Sequence, residues 1–132
     1  MTTRWWLASA VLAHFVISAA HGSAHDGGHV ALTPFQSFFV YSVILAGPFV
    51  GLAASFWRRR IGGLLVATTM AASLVFGVIN HFVIISPDHV SQVAPEWRSK
   101  FTASAVLLVV TEAAGVVAGL RYVGGLQKEV RS

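Results

Sequence analysis

Residues 30–57 read VALTPFQSFFVYSVILAGPFVGLAASFW, and Arg58, Arg59 and Arg60 follow directly. In that whole run the only titratable side chain is Tyr41. About 20 apolar residues of helix cross a hydrocarbon core about 30 Å thick, and this run exceeds that length. In lipid the backbone polar groups must bond within the segment, so the run is read as a helix rather than an open strand.

Working outward, three more segments share the pattern. Ile61 to Pro87 contains only His81, Phe101 to Leu120 only Glu112, and Trp5 to Ala20 only His14. No period-2 alternation supports a barrel. Charged residues make up 11% of the chain, against about 25% in soluble domains, and the mean hydropathy is +0.71. The expectation is a single all-α domain, residues 1–132, forming an integral membrane four-helix up-down bundle. Helices are expected at about 4–22, 33–57, 61–86 and 100–123, with a histidine-rich outer loop 21–33 and a second outer loop 87–99.

The bases orient it. Arg4, Arg58, Arg59, Arg60, Arg121, Lys128 and Arg131 fall on one side, and only Arg98 and Lys100 on the other. Positive residues favour the cytoplasmic side, so both termini are expected there, in a multi-pass protein of the cell membrane. The same asymmetry explains the net charge of +4 without a nucleic-acid partner. Trp5, Trp6, Trp57 and Trp97 all fall at expected interfaces, where amphipathic rings settle. Small-xxx-small spacing at Gly47/Gly51 and Gly115/Gly119 permits close helix approach. Pro48 is expected to kink the second helix, with a neighbouring helix satisfying the freed carbonyl. A competing reading takes residues 1–20 as a secretory signal, cleaved after Ala20 to expose His21 as a copper-binding amino terminus.

The chemistry concentrates at one end. Residues 21–29 read HGSAHDGGH and hold three of the six histidines. With no cysteine in the chain, thiolate metal sites, iron–sulfur clusters and disulfides are excluded. His14, Ser18, His21 and His25 follow one another at helical steps and form one stripe if the first helix continues past Ala20. Gly27 and Gly28 are expected to end it before His29. Thr69, Ser73, Gly77 and His81 form a second stripe with Asn80 beside it, and Asp88 and His89 follow at the third helix end. The pool of metal ligands is therefore His21, His25, His29, His81 and His89, with Asp26 or Asp88 as an added or orienting group. Imidazole suits copper and zinc, and copper is taken first. Only the neutral ring ligates, so affinity is expected to fall below about pH 6.5.

Glu112 sits roughly 17 Å along the fourth helix from Phe101, near mid-membrane, where a bare carboxylate costs several kcal/mol. It shares a face with Ser104, Leu108, Gly115 and Gly119. A protonated Glu112 bonded to Tyr41, Thr68 or Thr69 is the cheapest arrangement. Three functions follow. One is a membrane protein holding copper or zinc on its outer side, for metal handling or as part of a membrane redox complex. A second is a small b-type cytochrome, its haem held by His81 on the third helix and His14 or His21 on the first. A third is an accessory subunit without chemistry, in a homo-oligomer or larger membrane complex. No serine–histidine–aspartate set or phosphate loop is present, so catalysis by the chain alone is not expected.

Overall fold

In the computed structural model the backbone is described for residues 2–131 and side chains for residues 4–126. Lys128, Arg131 and Ser132 thus have side chains outside the described residues. The described chain is helical, without strands, and four helices are long and apolar enough to cross a membrane. We number them α1 (Thr2–Gly27), α2 (Pro34–Ala54), α3 (Arg59–Val83) and α4 (Pro95–Arg131).

Local chemistry sets the helix ends. α1 runs beyond its expected end because nothing breaks it before Gly27 and Gly28. The left-handed residue that stops it is His29, with φ 55°. Val30 N–H donates to His25 C=O at 2.9 Å and His29 N–H to Asp26 C=O at 3.2 Å, the two bonds of a Schellman closure. α2 opens on a capping box: the Thr33 hydroxyl accepts from Gln36 N–H, and Gln36 Oε1 accepts from Thr33 N–H. α4 starts earlier than expected, at Pro95, whose missing N–H costs nothing in the first turn.

Two stretches depart from α geometry. Val40–Ala46 within α2 and Ile79–Val83 at the end of α3 are π-helical, a wider turn often found at functional sites. The first lies just before Pro48, and the second carries His81.

α4 packs most extensively against α3 and α1. α2 lies on α3 and touches α1 only lightly. Leu7, Val11, Val66, Met70 and Tyr122 form the core at one end. There Arg4 donates to the carbonyl of Ser55 and to Tyr122, joining α1, α4 and the α2–α3 turn. The glycines allow the close approaches. A side chain at Gly62 would strike the backbone of Ser55 and lie 2.6 Å from the Gly51 carbonyl oxygen, and one at Gly119 would lie 2.7 Å from Gly63 O. At the other end Ala24, Val30, Val93 and Phe101 make a second cluster, with Trp97 against it. Outward faces are apolar: Leu12, Val16, Phe38, Val50, Val75 and Val110 are all exposed.

Candidate metal centre

Three elements deliver the site. His21 and His25 are four apart on α1 and share its inner face. His81 comes from the π-helical end of α3. Beyond it the chain folds back over the helix end, where Val90 N–H donates to His81 C=O at 3.0 Å. That return buries Asp88, which is 2% exposed. Arg98 holds the loop by donating to the carbonyls of Ser91 and Val93.

The three imidazoles converge through the same atom. His21 Nε2 lies 3.1 Å from His81 Nε2 and 3.2 Å from His25 Nε2. Each Nδ1 faces an oxygen that accepts. His21 Nδ1 is 2.8 Å from Ser104 Oγ, whose own proton goes to the carbonyl of Lys100. His81 Nδ1 is 3.0 Å from the Asp88 carbonyl, and His25 Nδ1 is 3.5 Å from the Val30 carbonyl. With the ring protons on Nδ1 toward these partners, three Nε2 lone pairs face one another.

Moving the His21 proton to Nε2, with the Ser104 hydroxyl donating to Nδ1, supplies one N–H for the two facing Nε2 lone pairs of His25 and His81. If His25 and His81 carried theirs on Nε2 to donate to His21, their bare Nδ1 atoms would face carbonyl lone pairs. A cation at the meeting point resolves all the contacts at once. The outer acceptors then do what second-layer partners of metal-bound histidines do, fixing tautomer and ring orientation.

Asp88 adds the same demand. Its Oδ1 lies 3.3 Å from His25 Nε2 and 3.2 Å from His81 Nδ1. Neither of its carboxylate oxygens has a hydrogen-bond partner among the described residues. A buried carboxylate without donors is costly unless positive charge sits beside it. His21, His25 and His81 could hold a metal ion between them, their ligand atoms lying within 4.8 Å of one another.

The other sequence candidates stand elsewhere. His29 is exposed and spent on ending α1, and Asp26 is exposed one turn beyond Gly22. His89 turns outward to Ser91 Oγ, 2.7 Å away. Asn80 ties helices together, accepting from Gln36 and donating to the Phe76 carbonyl. The haem arrangement meets a steric obstacle: His21 and His81 touch through their ligating nitrogens, leaving no slot for a porphyrin between them. His14 is further down α1, with its Nε2 3.0 Å from the Ile44 carbonyl. Ser104 was not in the ligand pool. The signal for it was its place on the face of α4 that carries Glu112.

Glu112 departs from its expected partners. Tyr41 is 69% exposed, and the hydroxyls of Thr68 and Thr69 donate back to their own helix. Glu112 instead faces His14, with Oε1 4.0 Å from Nδ1. The reason lies on α2. Ile44 lies four residues before Pro48, which has no N–H to offer a carbonyl of the preceding turn. His14 Nε2–H takes that carbonyl, which leaves Nδ1 as a bare acceptor turned toward the acid. Glu112→Gln, which can donate to His14, is expected to change stability by less than about 1 kcal/mol, and Glu112→Lys to prevent folding. Thermal unfolding in mild detergent checks both. A large loss with Gln would mean the carboxyl itself is required.

Comparison of the chain with protein-family models, curated proteins and solved structures finds no match to any of them.

Proposed function

We propose that this is a multi-pass protein of the cell membrane that binds one transition-metal ion through His21, His25 and His81 at its extracytoplasmic end. In this reading the helices form an up-down bundle with both termini cytoplasmic. The convergence of three imidazole Nε2 atoms from two helices, with the buried Asp88 carboxylate beside them, carries the metal reading. The apolar outer faces suit lipid, and the seven-to-two division of bases gives the direction.

Copper and zinc are the candidates, since imidazole nitrogen suits both. Three protein ligands leave a fourth position open, as in zinc sites that bind water or substrate. Asp88 offsets part of the ion's charge and orients His81. The role is metal handling, or supply of a metal centre to a larger membrane complex or homo-oligomer.

Purification in mild detergent, then absorbance and elemental analysis of one sample, tests the reading. One equivalent of metal and no Soret band is the expected result. A sample that stays metal-free after incubation with Zn²⁺ and with copper would remove it.

Topology has its own test. The chain lacks cysteine, so single cysteines at Ser23, Ser99 and Ser132 are unambiguous reporters. Positions 23 and 99 are expected to react with an impermeant reagent in intact cells, and 132 only after lysis. Labelling of 132 from outside would reverse the orientation.

A further inference from the structure

The three histidines are one wall of a larger space. A cavity of about 540 Å³ extends from His21, His25, His81 and Asp88 to Glu112. Ser104 bonds His21, and Glu112 lies eight residues further along α4, so the space runs roughly 12 Å down the helix axis. Between its two ends the walls are hydrocarbon, with Phe15 on α1, Ile44 and Leu45 on α2, Phe76 on α3 and Leu108 on α4.

Two observations bear on how this space is used. The described glycines differ in the room around them, and Gly124, away from the cavity, is also open. At Gly51, Gly62, Gly63, Gly115 and Gly119 a Cβ would collide with a neighbouring helix. At Gly22 it would meet nothing within 4 Å, and at Gly77 only His81 Cδ2 at 3.9 Å. Both line the cavity, and helix packing does not require either, although glycine inside a helix costs about 1 kcal/mol relative to alanine. Their missing side chains enlarge the space itself.

The second observation is the seam between α1 and α2. These helices touch only lightly, and the Phe15–Phe49 edge contact, with centroids 5.2 Å apart, holds them together at one level. Beyond it the exposed residues Phe15, Ala19 and Gly22 on α1 stand opposite exposed Tyr41 on α2, and all four line the cavity. The space therefore opens sideways, toward the surface proposed to face lipid.

We propose that this cavity binds an uncharged, hydroxyl-headed lipophile of the alkanol or alkylphenol type, which arrives from the bilayer between α1 and α2. No Lys or Arg lines the space, while Asp26, Asp88 and Glu112 do. The protein thus offers no basic side chain to an anionic headgroup such as phosphate. A hydroxyl fits the inner end. Its lone pair goes to the open position of the metal, with the buried carboxylate of Asp88 behind the histidines. The apolar body lies along Ile44, Leu45 and Leu108, and the tail leaves through the seam. The metal contact rests on the proposed function; the apolar cavity and its lateral opening do not.

Protein in phosphatidylcholine nanodiscs, with and without Co²⁺ as a spectroscopic substitute, is exposed to decanol carrying a diazirine in its chain. Photolabelled peptides are mapped by mass spectrometry. Label is expected on the Phe15–Gly22 and Val40–Leu45 segments, and unlabelled decanol should shift the visible cobalt bands. Decyl phosphate should do neither. Gly22→Leu should keep the cobalt spectrum but lower labelling by about tenfold, because the new side chain takes the ligand's place. Label spread over the lipid-facing surface, equal capture of decyl phosphate, or full labelling of the folded Gly22→Leu variant would overturn the proposal. Cobalt bound without any response to decanol, and no label in the seam, would overturn it and leave the metal reading standing. Seam labelling in a protein that takes up no Co²⁺ would remove the metal reading and keep the lipophile site.

Discussion

His81→Ala is expected to lower the affinity for Zn²⁺ by about a thousandfold. Structural zinc sites with four ligands bind with roughly 10–16 kcal/mol, so one ligand of a smaller set is worth about 4 kcal/mol, or about three decades. His81 is the only ligand not on α1, and without it His21 and His25 keep two nitrogens 3.2 Å apart on a single helix. Competition against a chromophoric chelator measures the change. A loss below about tenfold would show that the metal sits elsewhere.

Asp88→Asn supplies a second sign for the same site. With metal present it should weaken binding by about 10- to 100-fold, the usual effect of losing an orienting carboxylate. With a chelator present it should raise thermal stability, because a buried carboxylate lacking hydrogen-bond donors is replaced by a neutral amide. A purely structural Asp88 would give one sign under both conditions. Opposite signs identify the metal as the partner of the charge.

Gly62→Ala is expected to destabilise the fold by about 3 kcal/mol or more. The added methyl would fall against the backbone of Ser55 and 2.6 Å from the carbonyl oxygen of Gly51. Neither can rotate away as a side-chain end could, so α2 and α3 must separate. That separation also disturbs the Ser55 carbonyl, which accepts from Arg4 and Tyr122. Gly77→Ala is the control, since its methyl meets only one atom at 3.9 Å, and it should stabilise by up to about 1 kcal/mol. Thermal or denaturant unfolding in detergent separates the two. Equal stability of Gly62→Ala and the parent chain would mean that the helices do not approach this closely.

The sequence by itself determined the number of long apolar helices, because exclusion of charge from a run such as residues 30–57 is a local property. It also determined that His21 and His25 share a face, since the 3.6-residue period acts within one helix and α1 continues through both. The role of Pro48 was legible too: a missing N–H leaves a carbonyl free wherever the helix lies.

What that carbonyl would meet was decided only by the tertiary structure, which brought His14 to it and so turned His14 Nδ1 toward Glu112. The choice among histidines was also tertiary. His29 had the same four-residue spacing as its neighbours, but it took the left-handed position that ends α1 and turned outward. His89 and Asp88 are adjacent in sequence. The fold of the loop over α3 buried the second at the histidines and left the first with Ser91. Ser104 joined the site because α4 lies against α1. Convergence of side chains from separate helices depends on crossing geometry and loop path, and neither leaves a periodic trace in the residues themselves.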